Sequence, residues 1–175
     1  DDVLLEPKRS DIESRGEIDL SSSLDTEKSM DLSLPIVSAP MDTVTGPAMA
    51  LGMYAAGGVG ILHRYNTIEE QTDLVKEIIS SNEKALFGAA VGITGEFRER
   101  SHELVASGCK VLCLDVAHGH HDLMKHALES LRKKFGNAVH LMAGNIATLE
   151  AFNDLADWGA DSIRVGVGGG SICST

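Results

Sequence analysis

The feature that most constrains this chain is a repeat. From residue 34 onward, short apolar, β-branched runs alternate with longer amphipathic stretches. Strands are expected at 34–38, 58–63, 87–92, 111–116, 140–144 and 162–166. Their near-continuous apolar character suits strands covered on both faces, as in a parallel sheet under helices. Helices are expected between them, over 46–56, 67–80, 94–107, 122–135 and 149–158. Thr67-Ile68-Glu69-Glu70 has the Thr-x-x-Glu form of a capping box, and Gly108, Gly136 and Gly159 stand where helices should stop. Strand centres fall roughly 22 to 29 residues apart, which leaves room for one strand, one helix and two loops per unit.

The repeat predicts an α/β fold, a (β/α)8 TIM barrel of which about six βα units are present. A closed barrel takes about 250 residues, and the chain has 175. Residues 1–175 are therefore expected to form a single barrel domain whose last two units lie beyond Thr175. An open, doubly wound six-stranded sheet is the alternative. The more polar first 33 residues are expected to wrap across the bottom of the barrel.

Composition excludes several classes of partner. With 26 acidic residues against 15 Lys and Arg the formal net charge is -11, a field that repels phosphodiester backbones and argues against nucleic acid. No run of 18 apolar residues is present, and the first residues lack the basic flank of a signal peptide, so a soluble, cytoplasmic protein without a membrane partner is expected. The three cysteines, Cys109, Cys113 and Cys173, are an odd number without paired metal-ligand spacing, which disfavours a disulfide framework or a structural zinc.

In a parallel barrel, ligands bind where the βα loops gather, at the carboxyl ends of the strands. Here each strand ends in hydrogen-bonding side chains or glycine. The last loop carries Gly166, Gly168, Gly169 and Gly170, then Ser171 and Cys173. Glycines let backbone approach an anion or turn its carbonyls onto a cation, and a thiol beside such a nest has its thiolate stabilised. The plain alternative is a flexible corner. Cys109 and Cys113 read as core residues within or beside an apolar strand. Asp115, at a strand end, reads either as a partner for a ligand hydroxyl or amide or as a solvated turn carboxylate. His118, His120 and His121 lack a third ligand at metal-binding spacing. Lys125, Glu129, Arg132, Lys133 and Lys134 read as a solvated helix face.

Five segments then carry a likeness: 38–45 (Ser-Ala-Pro-Met-Asp-Thr-Val-Thr), 57–64 (Gly-Gly-Val-Gly-Ile-Leu-His-Arg), 115–120 (Asp-Val-Ala-His-Gly-His), 142–148 (Met-Ala-Gly-Asn-Ile-Ala-Thr) and 168–175 (Gly-Gly-Gly-Ser-Ile-Cys-Ser-Thr). In this order they resemble the successive signatures of the IMP dehydrogenase/GMP reductase family, along essentially the whole chain. The resemblance implies a catalytic barrel, usually a homotetramer, that holds a purine nucleotide at its mouth while a cysteine attacks purine C2. It implies Cys173 as nucleophile, Thr175 as its assistant, and Ser171 on the substrate phosphate. Gly168, Gly170 and Cys173 would offer carbonyls to a monovalent cation, normally potassium. Ser38 and Met41 would line the nucleotide site, and Asp115 and Asn145 would stand beside the nicotinamide and the purine. Gly169, where the family usually has proline or serine, loosens the cation loop, and Ser174 replaces a common threonine.

Two activities share the implied chemistry. IMP can lose its C2 hydride to NAD and then take up water to give XMP, or GMP can lose ammonia and be reduced by NADPH. Residues 63–71 and 163–166 look like the dehydrogenases, whereas 2–10 and 14–20 look like the reductases. The short link from His63 to Phe87 leaves no place for the regulatory insert that most dehydrogenases carry there. IMP dehydrogenase is the expected activity and GMP reductase the alternative. A nucleotide-binding barrel fragment without turnover and a flavin-dependent barrel oxidoreductase are the rivals from other classes.

Overall fold

The structure, a computed structural model, describes residues 6–25 and 30–168. A short hairpin of β1 (Ser22–Ser23) and β2 (Asp31–Leu32) comes first. The repeat follows: β3 (Val37–Ser38), α1 (Pro47–Ala55), β4 (Val59–Leu62), α2 (Ile68–Ser81), β5 (Phe87–Val91), α3 (Phe97–Ala106), β6 (Val111–Asp115), α4 (Asp122–Phe135), β7 (His140–Ile146), α5 (Leu149–Asp157) and β8 (Ser162–Val165). From β3 to β8 the strands are parallel and lie side by side in chain order. A doubly wound sheet reverses its strand order at a switch point, and none occurs among these six strands. The first and last also curl towards each other, since Val37 and Ser38 of β3 share a cavity of about 250 Å³ with Ser162 and Arg164 of β8. The architecture is thus a curled half-barrel of TIM type.

Strand periodicity sorts the core into two layers. Phe87, Ala89, Val91, Leu112, Leu114, Leu141 and Ala143 pack outward against the helices, while Val59, Ile61, Ala90, Val111, Cys113 and Met142 form the interior cluster. Leu32 of the hairpin is buried in that interior cluster, with Leu24 and Met30 packed on it, whereas described residues 6–21 are exposed. Among the described residues, the wrapping segment therefore plugs the interior through its hairpin.

Several elements depart from the pattern read off the sequence. Pro35 has no N–H to give a ladder and the Ile36 amide turns back onto Leu34 O, so β3 keeps only Val37 and Ser38. Gly95 has φ of 60°, outside the helical region, which delays α3 to Phe97. The capping box forms as expected: Thr67 Oγ1 accepts from Glu70 N at 3.1 Å, and Glu70 Oε2 accepts from Thr67 N at 2.8 Å. Arg132, expected on a solvated face, instead binds the carbonyls of Gly136 (2.6 Å) and Gly159 (2.7 Å) and the Asp161 carboxylate (2.6 Å). It sits in the last turn of α4, where a cation satisfies carbonyls that the helix leaves open.

Two outcomes follow from this packing. A Cβ at Gly60 would lie 2.7 Å from Ala50 Cα in α1, whereas one at Gly52, inside α1, meets nothing within 4 Å. Gly60→Ala is expected to lower stability by about 1–3 kcal/mol and Gly52→Ala to raise it by about 0.5–1 kcal/mol, so urea midpoints should move in opposite directions. His140 is buried, its Nε2 lying 2.7 Å from Ser162 Oγ, and burial, opposed by the nearby Asp161 and Asp25 carboxylates, holds its pKa below the ordinary 6.5. The unfolded chain takes up this proton more readily, so the contribution is complete above the ordinary value and is lost as pH falls through it. His140→Gln should therefore narrow the difference between melting midpoints measured at about pH 7 and about pH 5.

Candidate active site

The interior parity that places Val111 and Cys113 also points the last residue of β6, Asp115, into the mouth. On β8 the same alternation turns Ser162 and Arg164 towards the central cavity. The register aligns Asp115 with Gly144 on β7 and Gly144 with Arg164. Gly144 has no side chain to separate them, and a Cβ there would lie 2.7 Å from Arg164 Cβ. Arg164 therefore reaches across β7 and ion-pairs with Asp115 Oδ1, its Nη1 also 3.7 Å from Cys113 Sγ. Burial works against the Arg164 charge, but Cys113 and Asp115 outweigh it and hold its pKa above the ordinary arginine value. Among the described residues no bond claims Asp115 Oδ2, which stays available as an acceptor.

Asn145 follows on β7. Its Nδ2 donates to Gly166 O at 3.0 Å, while among the described residues Oδ1 is buried without a partner. A buried orphan acceptor costs free energy that a ligand donor would recover. The neighbouring loop is pressed against this strand: Gly119 N donates to Asn145 O at 2.7 Å, and a Cβ on Gly119 would come within 2.9 Å of that oxygen. Ser38 ends β3, where its hydroxyl lies 2.9 Å from Thr45 Oγ1, itself 2.6 Å from Ala39 O. Thr45, fully buried, is thus the group that orients Ser38. Met41, in the turn that follows, is half exposed.

The structure therefore brings Ser38, Asp115 and Asn145 to the mouth with Met41 at its rim. It adds Arg164 and Thr45, to which the sequence analysis gave no site role. Gly168 is described, with φ of 67°, while Gly170, Ser171, Cys173 and Thr175 lie outside the described residues. The histidines have local roles. His121 Nδ1 accepts from Leu123 N at 3.0 Å and caps α4, and His120 Nε2 lies 2.8 Å from Asp154 Oδ2 and stacks on Trp158. Among the described residues no group of three or more His, Cys, Asp or Glu side chains could hold a metal ion.

Cys109 and Cys113 are fully buried, and burial pushes both thiols up to about 12. Thiolates are the reactive form, so iodoacetamide at neutral pH should leave both unmodified in the folded protein and label both in urea. Mass mapping that finds either one alkylated under native conditions would contradict this packing.

Comparison with known proteins shows the family of the chain. The IMP dehydrogenase / GMP reductase domain family matches residues 1–175. An inosine-5'-monophosphate dehydrogenase of Nitrosopumilus maritimus (strain SCM1) is 29% identical across 100% of this chain and 62% of its own length. A GMP reductase of Variovorax paradoxus (strain S110) is 34% identical across 100% of the chain and 52% of its own length. GMP reductase 2 of Bos taurus is 35% identical across 99% of the chain and 50% of its own length. The chain thus spans about half to three-fifths of these curated relatives. With one family covering every residue, the chain belongs to the IMP dehydrogenase/GMP reductase family.

Proposed function

We propose that the protein is a purine nucleotide oxidoreductase, an IMP dehydrogenase that converts IMP, NAD and water to XMP and NADH. The observation that carries the reading is the Asp115–Arg164 pair beside the orphan Asn145 Oδ1, an acceptor set at the barrel mouth suited to the amide and ring N–H groups of a nicotinamide or a purine. Arg164 belongs to the segment 163–166 that looks like the dehydrogenases.

In this reading Cys173 is the nucleophile. Its Sγ bonds to C2 of IMP, the C2 hydrogen leaves with its electron pair, and water then adds at C2 as the C–S bond breaks to give XMP and the free thiol. NAD, when bound, supplies the hydride acceptor. Thr175 assists the thiol, Ser171 holds the substrate phosphate, and Ser38 and Met41 bound the nucleotide. Asn145 offers its free acceptor to the purine, and Asp115, its carboxylate oriented by Arg164, meets the nicotinamide side. Carbonyls of Gly168, Gly170 and Cys173 would hold a monovalent cation, potassium, and the protein would work as a cytoplasmic homotetramer. No helix of the described residues is long and apolar enough to cross a membrane.

GMP reductase is the second reading, favoured by one observation. The short link from His63 to Phe87 leaves no place for the insert that most dehydrogenases carry there. Alignment length does not discriminate, since the Variovorax reductase aligns over 178 positions and a GMP reductase of Leishmania major over 307. In agreement, β4 passes to β5 through α2 alone.

Incubation with IMP plus NAD should raise absorbance at the reduced-nicotinamide band, and GMP plus NADPH should leave it unchanged. A fall in the second with no rise in the first would assign the reductase instead. Cys173→Ala should abolish turnover in either direction, and retained turnover would remove the proposed nucleophile.

A further inference from the structure

One buried polar side chain has no part in the chemistry above. Gln71 lies on the inner face of α2 and is fully buried. A leucine would fill that position without the desolvation that an amide incurs unless each of its groups is bonded. Gln71 meets the requirement across three elements. Its Nε2 donates to His63 O at the exit of β4 and to Ala90 O of β5, both at 2.9 Å, and its Oε1 accepts from Arg100 Nη1 of α3 at 2.8 Å. Arg100 then donates through Nη2 to Asn66 O at 2.9 Å. The two side chains grip the segment 63–66 from both ends.

That segment carries Arg64. Its side chain lines a cavity of about 200 Å³ at the mouth, beside Gly92, Thr94, Phe97 and Val116, with the Glu96 carboxylate and Arg100 on the same lining. Nη2 makes a long 3.4 Å bond to Asp115 O, and among the described residues Nε is buried without a partner. Among the described residues no carboxylate pairs with Arg64; the nearby Asp115 is held by Arg164. A cation with an unused donor beside an open cavity suits an anionic ligand group, here a phosphoryl oxygen.

We propose that Gln71 is a positioning residue: through His63 O and Arg100 it fixes the peptide that carries Arg64, and so aims Arg64 at a phosphoryl group of the nucleotide or of the dinucleotide. This rests on the oxidoreductase reading.

The test is steady-state kinetics of the full protein with Gln71→Met, Arg64→Ala and both together. Gln71→Met should raise KM for one of the two ligands about tenfold, the loss of one hydrogen bond to a charged group, with kcat changed less than about threefold. The ligand whose KM rises identifies the source of the phosphoryl group. The double variant should have a KM within about twofold of Arg64→Ala alone, because Gln71 acts only through Arg64. Multiplying effects, or unchanged KM values in Gln71→Met, would overturn the proposal. If Gln71→Met does not fold, Arg100→Lys, which keeps the charge and loses the fork, should show the same KM shift and the same non-additivity; independent effects there would overturn the proposal too. An unmodified protein that turns over neither substrate pair would sink the functional reading along with this inference, whereas an active protein indifferent to these substitutions would sink only this one.

Discussion

The candidate site depends on a bare position between two charged ones. Asp115 and Arg164 sit at the same level on β6 and β8, with Gly144 between them on β7. Any larger residue at 144 would meet Arg164 and its backbone, since even a Cβ falls within 2.8 Å of Arg164 O. The gap lets the guanidinium cross a strand and meet a carboxylate that would otherwise be an isolated, half-buried charge, a costly state without a partner. With Arg164 placed, Asn145 and the last described glycines hang from the same strand ends.

Around that pair, the polar residues of the loops divide into those used up by the fold and those left over. Caps absorb Thr67, His121 and Thr148 at the starts of α2, α4 and α5, because the first N–H groups of each helix need acceptors. The Asp154 carboxylate and Trp158 ring absorb His120. Among the described residues, the buried side-chain atoms left without a partner are Asn145 Oδ1, Arg64 Nε, His63 Nδ1 and Ser101 Oγ, the first two at the mouth of the half-barrel. The two buried thiols are held far from ionisation by desolvation, which leaves Cys173 as the thiol on which the proposed chemistry rests.

Much of the fold was legible because its strongest signal is local. Apolar runs of strand length, amphipathic stretches of helix length and glycines at helix ends recur with one period, and all six strands and five helices lie where that period puts them. The misjudged boundaries share a cause: Pro35 and Gly95 act through backbone bonding and dihedral, which hydrophobic periodicity does not register. Arg132 was misread for a related reason. Its spacing in α4 matches a solvated face, yet the carbonyls it binds belong to segments up to 27 residues away.

By itself, the sequence determined the βα repeat, the family and the set of residues at the strand ends, because period-two and helical patterning and short motifs are written along the chain. Only the tertiary structure decided which of those residues meet. Arg164 faces Asp115 across 49 residues, and Gln71 joins β4, β5 and Arg100 over as many as 29. Such pairings follow from strand register and from the absence of a side chain at a third position, and register is set only when the sheet assembles.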